Sequence, residues 1–448
     1  MEKSANIILI TDDQHRYDYL DMLDKFPVKT PNLARLAKEG IWYQHAYTPS
    51  PLCMPARSSL HNGLYAHQHG MTTNVGHWDF HLPTVQQALQ KHGFNTVAIG
   101  KLHAFEAMDC GLDVTTTEPQ IKALGYDYVH EVSGKGLAWH CDCEWTHAMA
   151  RKQHLQPYRE ARTLYNDHRA HSFMLDEEDY MDRYIGDHVV DFLGNYAYEK
   201  PLFLWAGFVS PHPPFDATSD MLAGHESSEQ PDAIDNPAPR SWEEVRAHYT
   251  AMVEEIDRQV GRILTVLEEK GQLDNTLVVF TSDHGEMLGD HGLEGKCHCY
   301  DPSTRVPLLM RYPAAIPTEQ VRDCMVELTD LPATFLDAAG ITSDATDLLP
   351  GTPGKSLLPT WADSEASIRP FVFSEDGGQF YPSFQMIRTV SHKLVYYPEE
   401  DRLTLYDMVN DPDECVDLGS CDNHVTIRND LLRRLLRHLA CNPAPTRK

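Results

Sequence analysis

The chain has 448 residues, with 38 Lys+Arg against 66 Asp+Glu and a formal charge of −28. That balance argues against nucleic acid and anionic membrane surfaces as partners, so an anionic substrate would need a locally positive pocket inside a negative molecule. The length predicts two or three domains, or one large α/β domain with a smaller companion.

The chain begins MEKSANIILITDD, whose apolar run is too short for a signal peptide or a membrane anchor, so a cytoplasmic protein is expected. Residues 6–10 read as a buried strand that ends in Thr11, Asp12 and Asp13, at the sheet edge where open α/β folds bind ligands. Residues 31–40 have helical spacing, and the strand-like IWYQHAY follows. Residues 50–63, SPLCMPARSSLHNG, read as a loop in which Pro55 stiffens the backbone between Cys53 and Arg57. The arginine is a permanent cation suited to a phosphate-like or sulfate-like anion. Residues 83–93 read as a helix and 94–99 as a strand, which delivers Lys101 and His103. The stretch 109–198 is polar, irregular and rich in His and Trp, and is expected to form long loops over the sheet edge that select the substrate.

Residues 201–209 return to a buried strand that leads into His212 among prolines, and 216–240 form a surface excursion. A long helix is predicted over 242–270 and a strand over 275–280, which runs into Asp283 and His284. A strand at 305–312, a helix at 328–339 and four short hairpin strands from FVFSE to LTLYDM follow, before a helix over 427–439. The alternation predicts an α/β fold: a large, mostly parallel sheet sandwiched by helices over 1–364, and a small α+β subdomain with an antiparallel sheet over 365–448. Ten cysteines form no disulfide framework and read as reduced thiols. The pairs Cys141/Cys143 and Cys297/Cys299 lie in His-containing stretches, but their spacing is shorter than that of zinc pairs.

Three strand ends thus carry Asp12 and Asp13, His212, and Asp283 and His284, with Cys53, Arg57, Lys101 and His103 between them. Singly, each has an ordinary explanation as a turn former, a cap or a rigid loop. Jointly they do not, because carboxylates that converge at one edge repel unless a cation sits between them. Three carboxylates and one imidazole suit a hard divalent ion, calcium or magnesium, and leave manganese and zinc open.

The stretch SPLCMPARSSLHNG resembles the first signature of type I sulfatases in the alkaline phosphatase superfamily, and GFNTVAIGKLH resembles their second. VVFTSDHGEMLGDHG, with Lys296 and YDPSTRVPLLMRYP, is similar to their third region, and LYDMVNDPDECVDL to their C-terminal hairpin. The resemblance implies hydrolysis of an aryl, alkyl or sugar sulfate monoester, with release of inorganic sulfate. Cys53 would be oxidised to formylglycine by a maturing enzyme; its hydrated aldehyde would serve as nucleophile and as a metal contact. Asp12, Asp13, Asp283 and His284 would hold calcium, with His284 in place of a more usual asparagine. Arg57 would orient the modified residue, Lys101 and Lys296 would grip sulfate, His103 and His212 would handle protons, and Asn74 would contact the substrate. Met54 stands where a small residue is usual, and His61 and Asn62 replace a hydrophobic–Thr pair. A homo-oligomer is left open. The nearest rival is a phosphonate monoester or phosphodiester hydrolase, whose members tend to have uncharged hydroxyl residues where Lys101 and His103 stand. A non-catalytic binding protein on the same fold is the third reading, and the filled catalytic positions speak against it.

Overall fold

The computed structural model describes residues 4–106, 111–161, 169–225, 229–236, 242–341 and 345–444. Parts of the stretches 109–198 and 216–240 lie outside these residues. Eight strands form the main sheet: β1 (Asn6–Asp13), β2 (Ile41–Tyr47), β3 (Asn95–Gly100), β4 (Tyr128–Glu131), β5 (Leu202–Pro211), β6 (Thr276–Ser282), β7 (Leu308–Arg311) and β8 (Gln320–Glu327). Their order is β4-β3-β5-β1-β6-β7-β2-β8. Only β7 runs antiparallel to its neighbours, β6 and β2.

β1 is buried along its whole length because it lies between β5 and β6 with both faces covered. Ile7 and Leu9 point into one core, with Trp205, Val279, Met54 and Phe335; Ile8 and Ile10 point into the other, with Leu204, Phe280, Ile185 and Ile256. The period-two alternation of a strand splits a continuous apolar run between two layers, each such side chain contributing about 1.5–3 kcal/mol of burial. The helices Cys53–Asn62, Val85–Lys91 and Asp330–Ala338 cover the first face, and Met181–Asn195 and Glu243–Glu269 the second.

Register places the functional residues together. Asp12 pairs with Ser282 and Asp13 with Pro211, while Gly100 pairs with Gly207, so the carboxyl ends of β1, β3, β5 and β6 reach one edge side by side. Gly100 is required here: its φ is +99°, and a Cβ would meet the Gly207 carbonyl oxygen at 2.0 Å.

A second, antiparallel sheet is ordered β12-β11-β10-β9, from β9 (Val372–Asp376), β10 (Phe384–Arg388), β11 (His392–Tyr397) and β12 (Arg402–Asp407). The helix Val425–Cys441 sets Leu431 and Leu435 against Phe373, Ile387, Leu394 and Leu405. The opposite face meets Tyr47, Cys299 and Met325 of the larger part.

Three expectations change. Cys53 does not sit in a loop but opens the helix Cys53–Asn62; Pro55 falls in the first turn, where its missing N–H has no partner to lose. The stretch 109–198 is more regular than its composition suggests, and contains the edge strand β4 and the 15-residue helix Met181–Asn195. β8 was not expected, because QVRDCMVE breaks the period of two with the adjacent Arg322-Asp323 and the run Cys324 to Val326, and carries no aromatic or turn signal.

Candidate active site

Cys53 is 1% exposed at the first position of its helix, after Leu52 in extended conformation. Lys296 Nζ donates to its sulfur at 3.0 Å, and His284 Nε2 lies at 3.3 Å. Burial alone would raise the thiol, but Lys296, Lys101 and His284 outweigh it and hold Cys53 well below its ordinary value. This side chain sits in an environment built for a negative atom.

Asp13, Asp283, His284 and Cys53 offer ligand atoms that all lie within 4.8 Å of one another, and all four are buried. His284 Nδ1 donates to the Gly285 carbonyl at 3.0 Å, which leaves Nε2 turned toward the group, as a metal-ligating imidazole requires. Arg57 lies behind this set: Nε donates to Asp283 at 2.7 Å and Nη1 to the Lys101 carbonyl at 2.6 Å. The Lys101 ammonium reaches Asp13 Oδ2. Although burial and the neighbouring Cys53 would raise Asp13, the cations Lys101 and Arg57, with His212 beside them, hold it below the usual carboxylate range.

Asp12 stands outside this group of four. Its Oδ2 accepts from His15 Nδ1 at 2.6 Å, while His15 Nε2 donates to the Tyr19 carbonyl at 3.1 Å. His15 thus has an oxygen at each ring nitrogen, and its value is raised because Asp12 outweighs burial, while burial raises Asp12 in turn. Asp12 Oδ1 is buried with no hydrogen-bond partner among the described residues, an acceptor left for a cation. The group of four, two carboxylates and one imidazole beside Cys53, therefore fits a divalent metal ion, with Asp12 Oδ1 as a further acceptor nearby.

The cavity over Cys53 has a volume of about 630 Å³, and Gln14, Asn74, Lys101, His103, His212 and Lys296 line its deep part. His103 has a left-handed backbone, φ +59°, and burial pushes its ring down to about 4. His212 is lowered by burial and by Lys296, and its Nδ1 donates to the Pro213 carbonyl at 2.6 Å. Its neutral ring thus offers Nε2 as an acceptor. Asn74 is present, but its side-chain oxygen accepts from the Met54 backbone N–H at 2.9 Å, one residue after Cys53. The sequence reading missed Gln14, whose N–H donates to Asp283 at 3.1 Å and whose Oε1 accepts from Lys296 at 2.9 Å. It also missed His15. The only sequence signal for either was adjacency to the Asp pair.

His61 is a core residue rather than part of the site. It is sandwiched by Trp78 and Trp205 with ring centroids 4.5 Å away in each case, and burial pushes it down to about 3. Neither close-spaced cysteine pair joins a metal-binding group among the described residues. Cys141 Sγ donates to the Leu137 carbonyl at 3.1 Å, and Cys299 Sγ lies 3.2 Å from the Tyr397 hydroxyl.

The sequence profile described as Sulfatase matches residues 5–341. The chain belongs to the sulfatase family. A second profile, N-sulphoglucosamine sulphohydrolase, C-terminal, matches residues 289–440 of this sulfatase. The sulfatase is 27% identical to the arylsulfatase of Clostridium perfringens, covering 96% of this chain and 93% of that one. It is 24% identical to the N-acetylglucosamine-6-O-sulfatase of Bacteroides thetaiotaomicron, covering 97% and 86% respectively. Its fold superposes on the phosphonate monoester hydrolase of Agrobacterium radiobacter with a TM-score of 0.79 at 21% identity, covering 97% of this chain and 96% of the other. That likeness shows a shared fold, while the family rests on the profile match over residues 5–341.

Proposed function

We propose that this sulfatase cleaves a sulfate monoester and releases inorganic sulfate, using Cys53 converted to formylglycine and one divalent ion, calcium first. The observation that carries the reading is that Cys53, Lys101, His103, His212 and Lys296 meet in one cavity directly over the group Asp13, Asp283 and His284. Asp13, Asp283, His284 and the modified Cys53 side chain would hold the ion, with Asp12 Oδ1 facing the same charge; when bound, it offsets negative charge on the reacting oxygens. Formylglycine supplies, as its hydrate, a nucleophilic oxygen and a second hydroxyl through which the ester is released without water attacking sulfur again.

The chain's own residues supply the rest. Cys53 Sγ marks where the nucleophilic oxygen would stand, and Lys296 Nζ at 3.0 Å holds negative charge there. With the thiol in place Lys296 is raised above its ordinary value, since Cys53 and Asp13 outweigh burial; Asp13 remains beside it after conversion, and the charged lysine serves as a grip. Arg57 makes no contact with the cavity; it fixes Asp283 and the Lys101 carbonyl, and so orients the carboxylates and the lysine segment. His103, neutral at physiological pH, is a base able to take the hydroxyl proton that release requires. His212, with Nδ1 committed to Pro213, becomes a proton donor to the leaving oxygen only after Nε2 is protonated, and the bound sulfate anion favours that state.

Peptide mass spectrometry of Cys53 together with sulfate release tests this reading. Loss of the thiol, gain of an aldehyde and turnover of 4-nitrophenyl sulfate above that of phosphodiester and phosphonate analogues are expected. Full activity with an unmodified Cys53 would sink the mechanism, and preference for the phosphonate would transfer the protein to the rival reading.

A further inference from the structure

The cavity is far larger than a sulfate group requires, and its outer part is walled by two separate stretches of chain. One follows β4 and contributes Leu137, Trp139 and His140. The other is the turn between β9 and β10 of the C-terminal sheet, which contributes Phe380 and Tyr381.

That turn is fastened to the catalytic apparatus at two points. Gln379 Oε1 accepts from the Asn74 backbone N–H at 2.6 Å, and Asn74 in turn holds the Met54 N–H beside Cys53. Tyr381 lies on His298 with ring centroids 4.1 Å apart, and its hydroxyl donates to the Glu294 carbonyl at 3.3 Å, on the loop that carries Lys296. A turn held from both sides still leaves Phe380 54% exposed and Tyr381 38% exposed. An aromatic surface kept wet on an anchored turn, at the mouth of a deep polar site, gains free energy when a ring-shaped ligand covers it.

Resting on the sulfatase reading, we propose that the β9–β10 turn is the leaving-group subsite, with Phe380 and Tyr381 facing Trp139 across a single pyranose ring that carries the sulfate. The wall is amphipathic, aromatic faces beside His140 and Glu294, which matches a ring with an apolar C–H face and a hydroxylated edge. A long alkyl chain would meet polar groups along the same wall, and a flat aryl alcohol would leave them without hydroxyls to bind.

The test pairs kinetics with binding on a panel of glucose, galactose and N-acetylglucosamine monosulfates. For the Phe380→Ala variant and the Phe380→Ala/Tyr381→Ala double variant, KM for the preferred sugar is expected to rise tenfold or more with kcat changed less than threefold, and Phe380→Trp is expected to restore it. In a Cys53→Ala background, calorimetric titration should show the same loss of sugar-sulfate affinity while the affinity for inorganic sulfate persists. Undiminished sugar binding in both variants, an equal loss of inorganic sulfate binding, or no sugar-sulfate binding by the parent would each overturn the subsite. If the unsubstituted enzyme releases no sulfate from any ester, the hydrolase reading falls, and the titration still decides the subsite.

Discussion

Glu131 closes β4 with its carboxyl buried against the His103 backbone, and its Oε2 has no hydrogen-bond partner among the described residues. Burial pushes it up to about 8, so near neutrality it is largely protonated. A folded value above the ordinary one means that its stabilisation is complete below the ordinary carboxylate range and is lost as pH rises toward 8. Glu131→Gln abolishes that titration. Thermal melts should therefore move in favour of the variant between pH 5 and pH 9, and a pH-independent difference would refute the assignment. Asp283 gives a second test. Asp283→Ala should reduce bound metal to background by elemental analysis and, by leaving Arg57 buried without its closest carboxylate, cost about 3–5 kcal/mol in denaturant unfolding. Retained metal would show that the ligand set is wrong. Lys101, Asp283 and His284 were legible because the sequence puts ionisable groups directly after apolar runs, and Cys53 and Arg57 because their spacing about Pro55 resembles a family signature. His15 and Gln14 were not, because their partners Tyr19, Glu286 and Lys296 are brought to them only by the fold.

At the scale of elements, the C-terminal sheet is held to the larger part by a buried cation. Lys393 on β11 donates to Asp301 at 2.6 Å and contacts Glu414 at 2.7 Å. Lys393→Met removes the cation that two buried carboxylates share, and is expected to cost about 3–5 kcal/mol at neutral pH, read as a lowered Tm. Lys393 outweighs burial and keeps Asp301 below the usual carboxylate range, a contribution present above that range and lost as pH falls through and below it. The penalty of the variant should therefore shrink below about pH 4, where carboxylates protonate; a penalty unchanged at pH 3 would contradict the ion-pair account. The strands and helices legible in sequence were those with one dominant period. β8, with Arg322 turned to the Thr360 carbonyl and Cys324 to the core, was hidden because its alternation is set by a neighbour far along the chain. The helix at Cys53 was hidden because proline in a first turn looks like proline in a loop.

At the scale of the whole molecule, a charge of −28 would repel the anion that Lys101 and Lys296 are proposed to attract locally. The Debye length is about 30 Å at 0.01 M salt and about 8 Å at 0.15 M, so added salt first screens the long-range repulsion. kcat/KM for a sulfate ester should rise between these concentrations, and a steady fall from the lowest salt would show that the local cations dominate throughout. The burial of Cys53 also sets an order of events in synthesis. The folded protein leaves the thiol 1% exposed, with Glu375 of β9 donating to the Pro49 carbonyl and Cys297 to that of Pro51, so the segment before the nucleophile is closed over by residues made much later. If Cys53 is converted as proposed, the oxidising enzyme would have to meet it while the chain is still unfinished or unfolded. More than 300 residues separate Cys53 from β9, and at about 5–20 residues per second they emerge in roughly 15–60 s. On the reading proposed above, catalytic competence would be settled by a race on the ribosome: a chain that completed its C-terminal sheet first would be folded with Cys53 unconverted.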